Sequence, residues 1–294
     1  MPDAAAHPSP RILLWLVAVG FFMQTLDGTI VNTALPAMAT SLGESPLRLQ
    51  AVVVAYMLTM AALIPASGWL ADRFGSQRVF LSAIVLFSAG SAACALSNDL
   101  SQLIAARVLQ GLGAAVLLPV GRLVILQHFP REELLSAMSF VAIPGLIGPL
   151  IGPTLGGWLV ETASWHWIFL INLPVGLVGA LATMRYMPNL KRTDAGRFDL
   201  AGYAMLVLAM IAISLALDGL GWASTLVVLL MVAGLAALTA YWLHAMRHPA
   251  PLFPPALFTV PSYRVGILGN LFARIGSGAM PYLLPLLLQL AMGF

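Results

Sequence analysis

The sequence predicts an all-α membrane protein, a bundle of spanning helices, from three observations. Of its 294 residues, 60% are hydrophobic and 9% charged, whereas an ordinary soluble domain carries about 25% charged residues. Mean hydropathy is +0.94, which suits helices facing lipid rather than a surface facing water. The apolar residues also gather into nine runs, each of about 20 residues, the length that crosses a hydrocarbon core about 30 Å thick. At 1.5 Å per residue the runs lie at roughly 13–35, 50–70, 79–97, 101–123, 136–160, 166–187, 199–217, 224–244 and 263–290.

The first run, Leu13 to Pro36, is too long for a signal peptide and stays as a helix. It carries an acid, Asp27. A carboxylate inside a span costs about 2.5–3.5 kcal/mol on insertion scales, so it marks a functional site and requires a partner. Orientation follows from the basic residues. With the N-terminus inside, Arg11, Arg73, Arg78, Arg131, Arg185, Lys191, Arg192, Arg197, Arg247 and Arg264 fall in cytoplasmic segments, and the outer loops hold little beyond Arg48. The excess of 14 Lys+Arg over 11 Asp+Glu therefore belongs to cytoplasmic loops and not to a nucleic-acid-binding face. The single cysteine, Cys94, excludes an internal disulfide and a cysteine-cluster metal site.

Two polar or proline-rich stretches divide the chain. Pro188 to Asp199 follows the sixth run and His248 to Tyr263 follows the eighth. The resulting units are residues 1–187 with six helices, 188–247 with a linker and two helices, and 248–294 with a Pro-rich linker and one helix. The closing run LLPLLLQLAMGF stops near the end of a span with no polar tail, which reads as the front part of something longer.

The loop between the second and third spans reads Gly68-Trp-Leu-Ala-Asp72-Arg73-Phe-Gly75-Ser-Gln-Arg78. A glycine at each side lets two helices approach closely, and an acid with two bases forms ion pairs that hold one conformation and break in another. The fourth span holds Arg107-Val-Leu-Gln110-Gly111. The fifth holds Gly145, Gly148, Pro149, Gly152, Pro153, Gly156 and Gly157. Glycines at this spacing strip one helix face so that a neighbour packs at backbone distance, and the prolines permit a bend. Together they form a bend or a sliding surface.

These motifs, with Leu26-Asp27-Gly28-Thr29 in the first span and Trp165-His-Trp167-Ile168-Phe169-Leu-Ile-Asn172-Leu-Pro174 in the sixth, resemble the major facilitator superfamily, and within it the fourteen-helix drug:proton antiporters of the EmrB/QacA group. The resemblance implies an N-terminal six-helix half built from two inverted three-helix repeats, two extra helices, and the first helix of the second half. It further implies a multi-pass protein of the bacterial inner membrane whose partners are the lipid bilayer, protons and a small-molecule substrate, exported by antiport. Export of a metabolite or organic acid, and a truncated non-transporting fragment, stand as alternatives.

Arg107 is the candidate partner for Asp27. Asp27 lies ~14 residues, or ~21 Å, from the inner edge of its span, and Arg107 ~6 residues, or ~9 Å, inward from the outer start of the fourth. The two depths match in a core about 30 Å thick. The competing expectation has Arg107 bonding carbonyls or snorkelling outward while Asp27 caps a helix broken at Gly28. Arg122, at the inner end of the fourth span, is placed to meet Asp72. Gln24 and Asn32 line a polar cavity or bond between helices. Arg274, about 16 Å into the ninth span, faces the interior, either to bind substrate or to satisfy a neighbour. No P-loop, nucleophile elbow or His pair at metal-ligand spacing within a span is present, since His7, His128, His166, His244 and His248 fall near interfaces, in loops or in the N-terminal tail. The sequence therefore predicts no enzyme, no cofactor and no metal.

Overall fold

The first expected span is realised as α1, Pro10–Leu42, one helix continuous through Gly28 and Pro36. Asp27 therefore sits mid-helix and caps nothing, contrary to the broken-helix expectation. The computed structural model describes residues 10–192, 196–218 and 224–291; His7 and residues 193–195 of the first linker lie outside the described residues. After α1 come α2 (Pro46–Phe74), α3 (Ser76–Ala95), α4 (Leu100–His128), α5 (Leu134–Thr162), α6 (Trp167–Leu170), α7 (Asn172–Tyr186), α8 (Leu200–Asp218), α9 (Ser224–Ala245), a 3-10 turn at Pro255–Thr259, and α10 (Pro261–Ala291). Among the described residues, eight helical spans are long and apolar enough to cross a membrane, with α6 and α7 counted together. The ninth expected run coincides with α10. The fold is all-α, as the sequence predicts.

Local chemistry sets the helix ends. Ser45 accepts from the Arg48 amide at the start of α2, and Asp99 accepts from the Gln102 amide at 2.8 Å at the start of α4, supplying acceptors to otherwise orphaned N–H groups. The sixth span divides because Pro174 has no N–H to give the Leu170 carbonyl. That break makes Asn172 the first residue of α7.

The most extensive helix pair is α1 against α5. Gly145, Gly148, Gly152 and Gly156 are buried on that face. A Cβ at Gly148 would fall 2.5 Å from Thr25 Oγ1, and Cβ atoms at Gly145, Gly152 and Gly156 would collide with Phe21, Thr29 and Thr33. The backbones thus meet without intervening side chains. The threonine hydroxyls donate back within α1, Thr25 to Phe21 O at 3.0 Å, Thr29 to Thr25 O at 3.1 Å and Thr33 to Ile30 O at 2.8 Å. No side-chain hydrogen bond from them ties α1 to α5, so the seam is smooth. Pro149 and Pro153 are exposed, Gly157 has open space around it, and α5 is continuous through Pro144, Pro149 and Pro153. The expected bend is absent as a helix break. What the motif builds is the flat face.

The pairings of α1 with α5 and of α2 with α4 exchange when the first three spans are swapped for the next three. That is the pattern two inverted repeats require.

At the end of the bundle where α2 meets α3, the α2–α3 loop is bound by the chain that follows α7. Ser76 donates its hydroxyl to Pro188 O at 2.8 Å and accepts from the Leu190 amide at 2.9 Å, while its own amide donates to Leu190 O at 2.9 Å. Gln77 donates to Thr183 O and Met184 O, and Trp69 Nε1 to Gly196 O at 3.0 Å. Gly75 has φ +94° with the Asn189 side chain against its Cα, a backbone that favours glycine. Two expectations are corrected here. Gly68 is exposed with open space around it, so no helix closes on it among the described residues. Asp72 pairs not with Arg122 but with Arg192, at 3.8 Å, and its carbonyl accepts the Arg192 amide. The linker reaches the loop first, whereas Arg122 is exposed with its guanidinium carbon 6.0 Å from the Phe21 ring centre. Arg73 and Arg78 are exposed.

The α8–α9 hairpin packs on α2 through α8. Asp199 caps α8 by accepting the Gly202 amide at 2.9 Å, and its Oδ1 lies 2.8 Å from His244 Nε2 near the end of α9. Burial alone would push the Asp199 carboxyl up. The Gly202 amide and the His244 and His248 imidazoles outweigh that and hold it below the usual carboxylate value.

Candidate functional site

Asp27 is 1% exposed and Arg107 0%, a burial that an ionised pair tolerates only when its polar atoms are satisfied. Here they are. Arg107 Nη1 donates to Asp27 Oδ2 at 2.6 Å and to Gln110 Oε1 at 2.6 Å, and Nε donates to the Val52 carbonyl at 3.4 Å. Asp27 Oδ1 accepts from Gln110 Nε2 at 2.8 Å and from Asn172 Nδ2 at 3.2 Å. Both amides also donate to Ser91 Oγ, at 2.7 and 3.1 Å. The Tyr56 ring stacks under the guanidinium at 3.9 Å, adding cation–π attraction.

Each helix supplies its part for a local reason. Arg107 and Gln110 stand three apart on α4 and share a face. Asn172 reaches the carboxylate because the chain break at Pro174 starts α7 there. A Cβ at Gly90 would lie 2.5 Å from the Gln110 backbone and one at Gly113 would strike α3, so α3 and α4 approach closely enough for Ser91 to meet Gln110. Five helices, α1, α2, α3, α4 and α7, therefore converge on one network, with the Asp27 carboxylate bonded from α4 and α7, the guanidinium met by α2, and the two amides by α3.

Electrostatically, the site is an ion pair of no net charge in a buried setting. A proton delivered to Asp27 would remove the opposite charge beside the guanidinium, whose other neighbours are Gln110 Oε1, the Val52 carbonyl and the Tyr56 face. The arrangement holds one carboxylate among donors, which is no metal-ligand set.

The structure brings together Asp27 and Arg107 and leaves the other expected cavity residues apart from them. Gln24 donates to Met60 Sδ at 3.5 Å, its backbone carbonyl accepts from Tyr56 Oη at 3.5 Å, and its buried Oε1 has no hydrogen-bond partner among the described residues. Asn32 and Arg274 are exposed among the described residues, and α10 leans on the 3-10 turn. Tyr56, Ser91, Gln110 and Asn172 belong to the site; Tyr56 and Ser91 are not singled out by the sequence, and Gln110 and Asn172 stand in its motifs without a role assigned to them. Gln110 and Asn172 carried a signal, each being a polar residue in an apolar span.

Three comparisons relate the chain to known proteins. A family model described as Major Facilitator Superfamily matches residues 17–294. The chain belongs to the major facilitator superfamily. Its relatives include the protein named "Putative multidrug resistance protein MdtD" of Serratia proteamaculans, 57% identical over 96% of this chain and 59% of that protein. The namesake of Yersinia enterocolitica is 56% identical over 97% of this chain and 61% of its own length. The chain thus spans about 60% of the length of these curated relatives. Among solved structures, the human organic anion transporter MFSD10 aligns with TM-score 0.54 at 15% identity over 76% of this chain and 60% of that one. The POT family transporter PepTSo aligns with TM-score 0.56 at 16% identity over 83% of this chain and 56% of that one. At such identities these two structures report the superfamily fold alone.

Proposed function

We propose that the chain works within a secondary active transporter that exports small, drug-like molecules across the bacterial inner membrane by proton antiport, with its N-terminus in the cytoplasm. The observation that carries this reading is the fully buried Asp27–Arg107 pair, 2.6 Å apart on two different helices. Asp27 and Arg107 form the proton-coupling pair. Protonation of Asp27 removes a charge, weakens the bond to Arg107 and biases the bundle between inward-open and outward-open states. Because α1 carries Asp27 and also rides on the glycine face of α5, release of the pair frees α1 to slide along Gly145, Gly148, Gly152 and Gly156. Pro149, Pro153 and Gly157 belong to the same motif in sequence and lie off the sliding face.

Gln24, Asn32 and Arg274 contribute to the substrate path. Gly68, Asp72, Arg73, Gly75, Arg78 and Arg122 form the inner gate, held in the present state by the strap from Pro188 to Gly196. Residues 1–187 form the six-helix half, 188–247 the linker and two-helix insert, and 248–294 the start of the second half. Transport driven by an imposed pH gradient tests the reading: Asp27→Asn removes the response to the gradient if Asp27 carries the coupling proton.

A further inference from the structure

The base of the α8–α9 hairpin gathers one carboxylate and two imidazoles that the transport reading does not use. Asp199 precedes α8, His244 lies in the last turn of α9, and His248 follows just past its end. One ligand atom from each of the three lies within 4.8 Å of the others. Asp199 Oδ1 and His244 Nε2 are 2.8 Å apart, and the two imidazole rings stack with centroids 4.9 Å apart. The Asp199 side chain is 2% exposed, yet its second oxygen, Oδ2, is buried with no hydrogen-bond partner among the described residues. A buried orphan carboxylate oxygen costs energy unless something satisfies it.

We infer that Asp199, His244 and His248 form a binding site for a divalent first-row transition cation, with zinc as the type. Two nitrogens and one carboxylate are the donor set such a cation takes at about 2.0–2.2 Å, with a fourth position left to water. Ligand atoms at these bond lengths stand about 3.3 Å apart in a tetrahedron, so the present spacing closes on a cation with small side-chain movements. The Ala250 amide donates to His248 Nδ1 at 3.3 Å, which makes Nδ1 a lone-pair nitrogen, and that long bond is the one the cation replaces. The hydrogen bond between His244 and Asp199 gives up its proton when Nε2 takes the metal.

The surroundings fix the ligands and choose the ion. Tyr241 Oη accepts the Phe253 amide at 2.8 Å and donates to the Phe253 carbonyl at 3.2 Å, tying the chain beyond His248 back to α9. Arg247 lines the same cavity, about 300 Å³ with Leu243, His244, His248 and Pro249. Its positive charge disfavours calcium and magnesium, which need several anionic oxygens, more than a cation bound largely by imidazole. His248 is half-buried and gives the cation its way in. The bound ion clamps the start of α8 to the end of α9 at the cytoplasmic side.

Isothermal titration of the purified, tag-free full chain in detergent at pH 7.5 with zinc chloride tests this. One equivalent is expected. His248→Gln removes no ion pair and should weaken binding by about tenfold or more, with helix content unchanged by circular dichroism. His244→Gln should do the same, whereas His128→Gln and His166→Gln should leave it unchanged. Zinc binding that is absent from the wild type, or equal in the wild type and both His244→Gln and His248→Gln, overturns the site.

Discussion

Arg107 and Asp27 stand 80 residues apart in sequence and 2.6 Å apart in space, with their charges cancelling where neither reaches solvent. Everything else at the site serves that pair. Gln110 bridges both members, and Asn172 and Ser91 complete the carboxylate's surroundings.

Such a pair is worth less than the cost of breaking it on one side. Removing one partner strands a buried charge, at about 3–5 kcal/mol, whereas replacing both by neutral groups of similar size is close to neutral. Arg107→Met alone should therefore lower the thermal unfolding midpoint sharply in detergent, and Arg107→Met with Asp27→Asn should recover most of it. Additive losses in the double variant would show that the two charges do not act on each other.

The smooth seam between α1 and α5 makes a second prediction. Gly148→Leu and Gly152→Val drive side chains into Thr25 and Thr29, and overpacking of this kind costs about 1–3 kcal/mol. Both should reduce transport. Gly157→Ala, with open space around it, should leave transport and stability unchanged. Equal loss in all three would separate the motif from the packing.

At the α2–α3 loop, the strap after α7 depends on Ser76. Ser76→Ala removes two hydrogen bonds and leaves the Leu190 amide and the Pro188 carbonyl needing new partners, at about 1–3 kcal/mol. Hydrogen exchange over residues 187–192 should accelerate while the α4 core stays protected. Arg192→Ala should change stability by less than about 1 kcal/mol, because its pair with Asp72 is 3.8 Å long and the arginine side chain is 73% exposed. A larger loss from Arg192→Ala than from Ser76→Ala would assign the latch to the ion pair.

Much of this fold was legible because lipid makes the sequence explicit. Apolar length gave the spans, and glycine spacing gave the α5 face. Asp27 and Arg107 were legible as a pair because depth along a helix follows from counting residues. Rotation about each helix does not, so Tyr56 under the guanidinium and Ser91 beside Gln110 were out of reach. Counting misled for Asp72: depth pointed to Arg122, whereas the partner came from a linker 120 residues onward whose path no periodicity encodes. The spacing of His244 and His248 does not stand out in the sequence because the second lies beyond the end of α9, and Asp199 joins them only once α8 and α9 lie side by side.

In the proposed mechanism Asp27 carries the coupling proton. The most direct measurement uses inverted membrane vesicles from cells producing the protein, loaded with an imposed pH gradient, and follows uptake of a fluorescent cationic dye. Gradient-driven uptake should be present in the wild type and lost, by about tenfold or more, in Asp27→Asn, with the helix content of the purified variant unchanged, as expected for an essential acid–base group. Gradient-driven uptake by Asp27→Asn equal to that of the wild type would contradict the account.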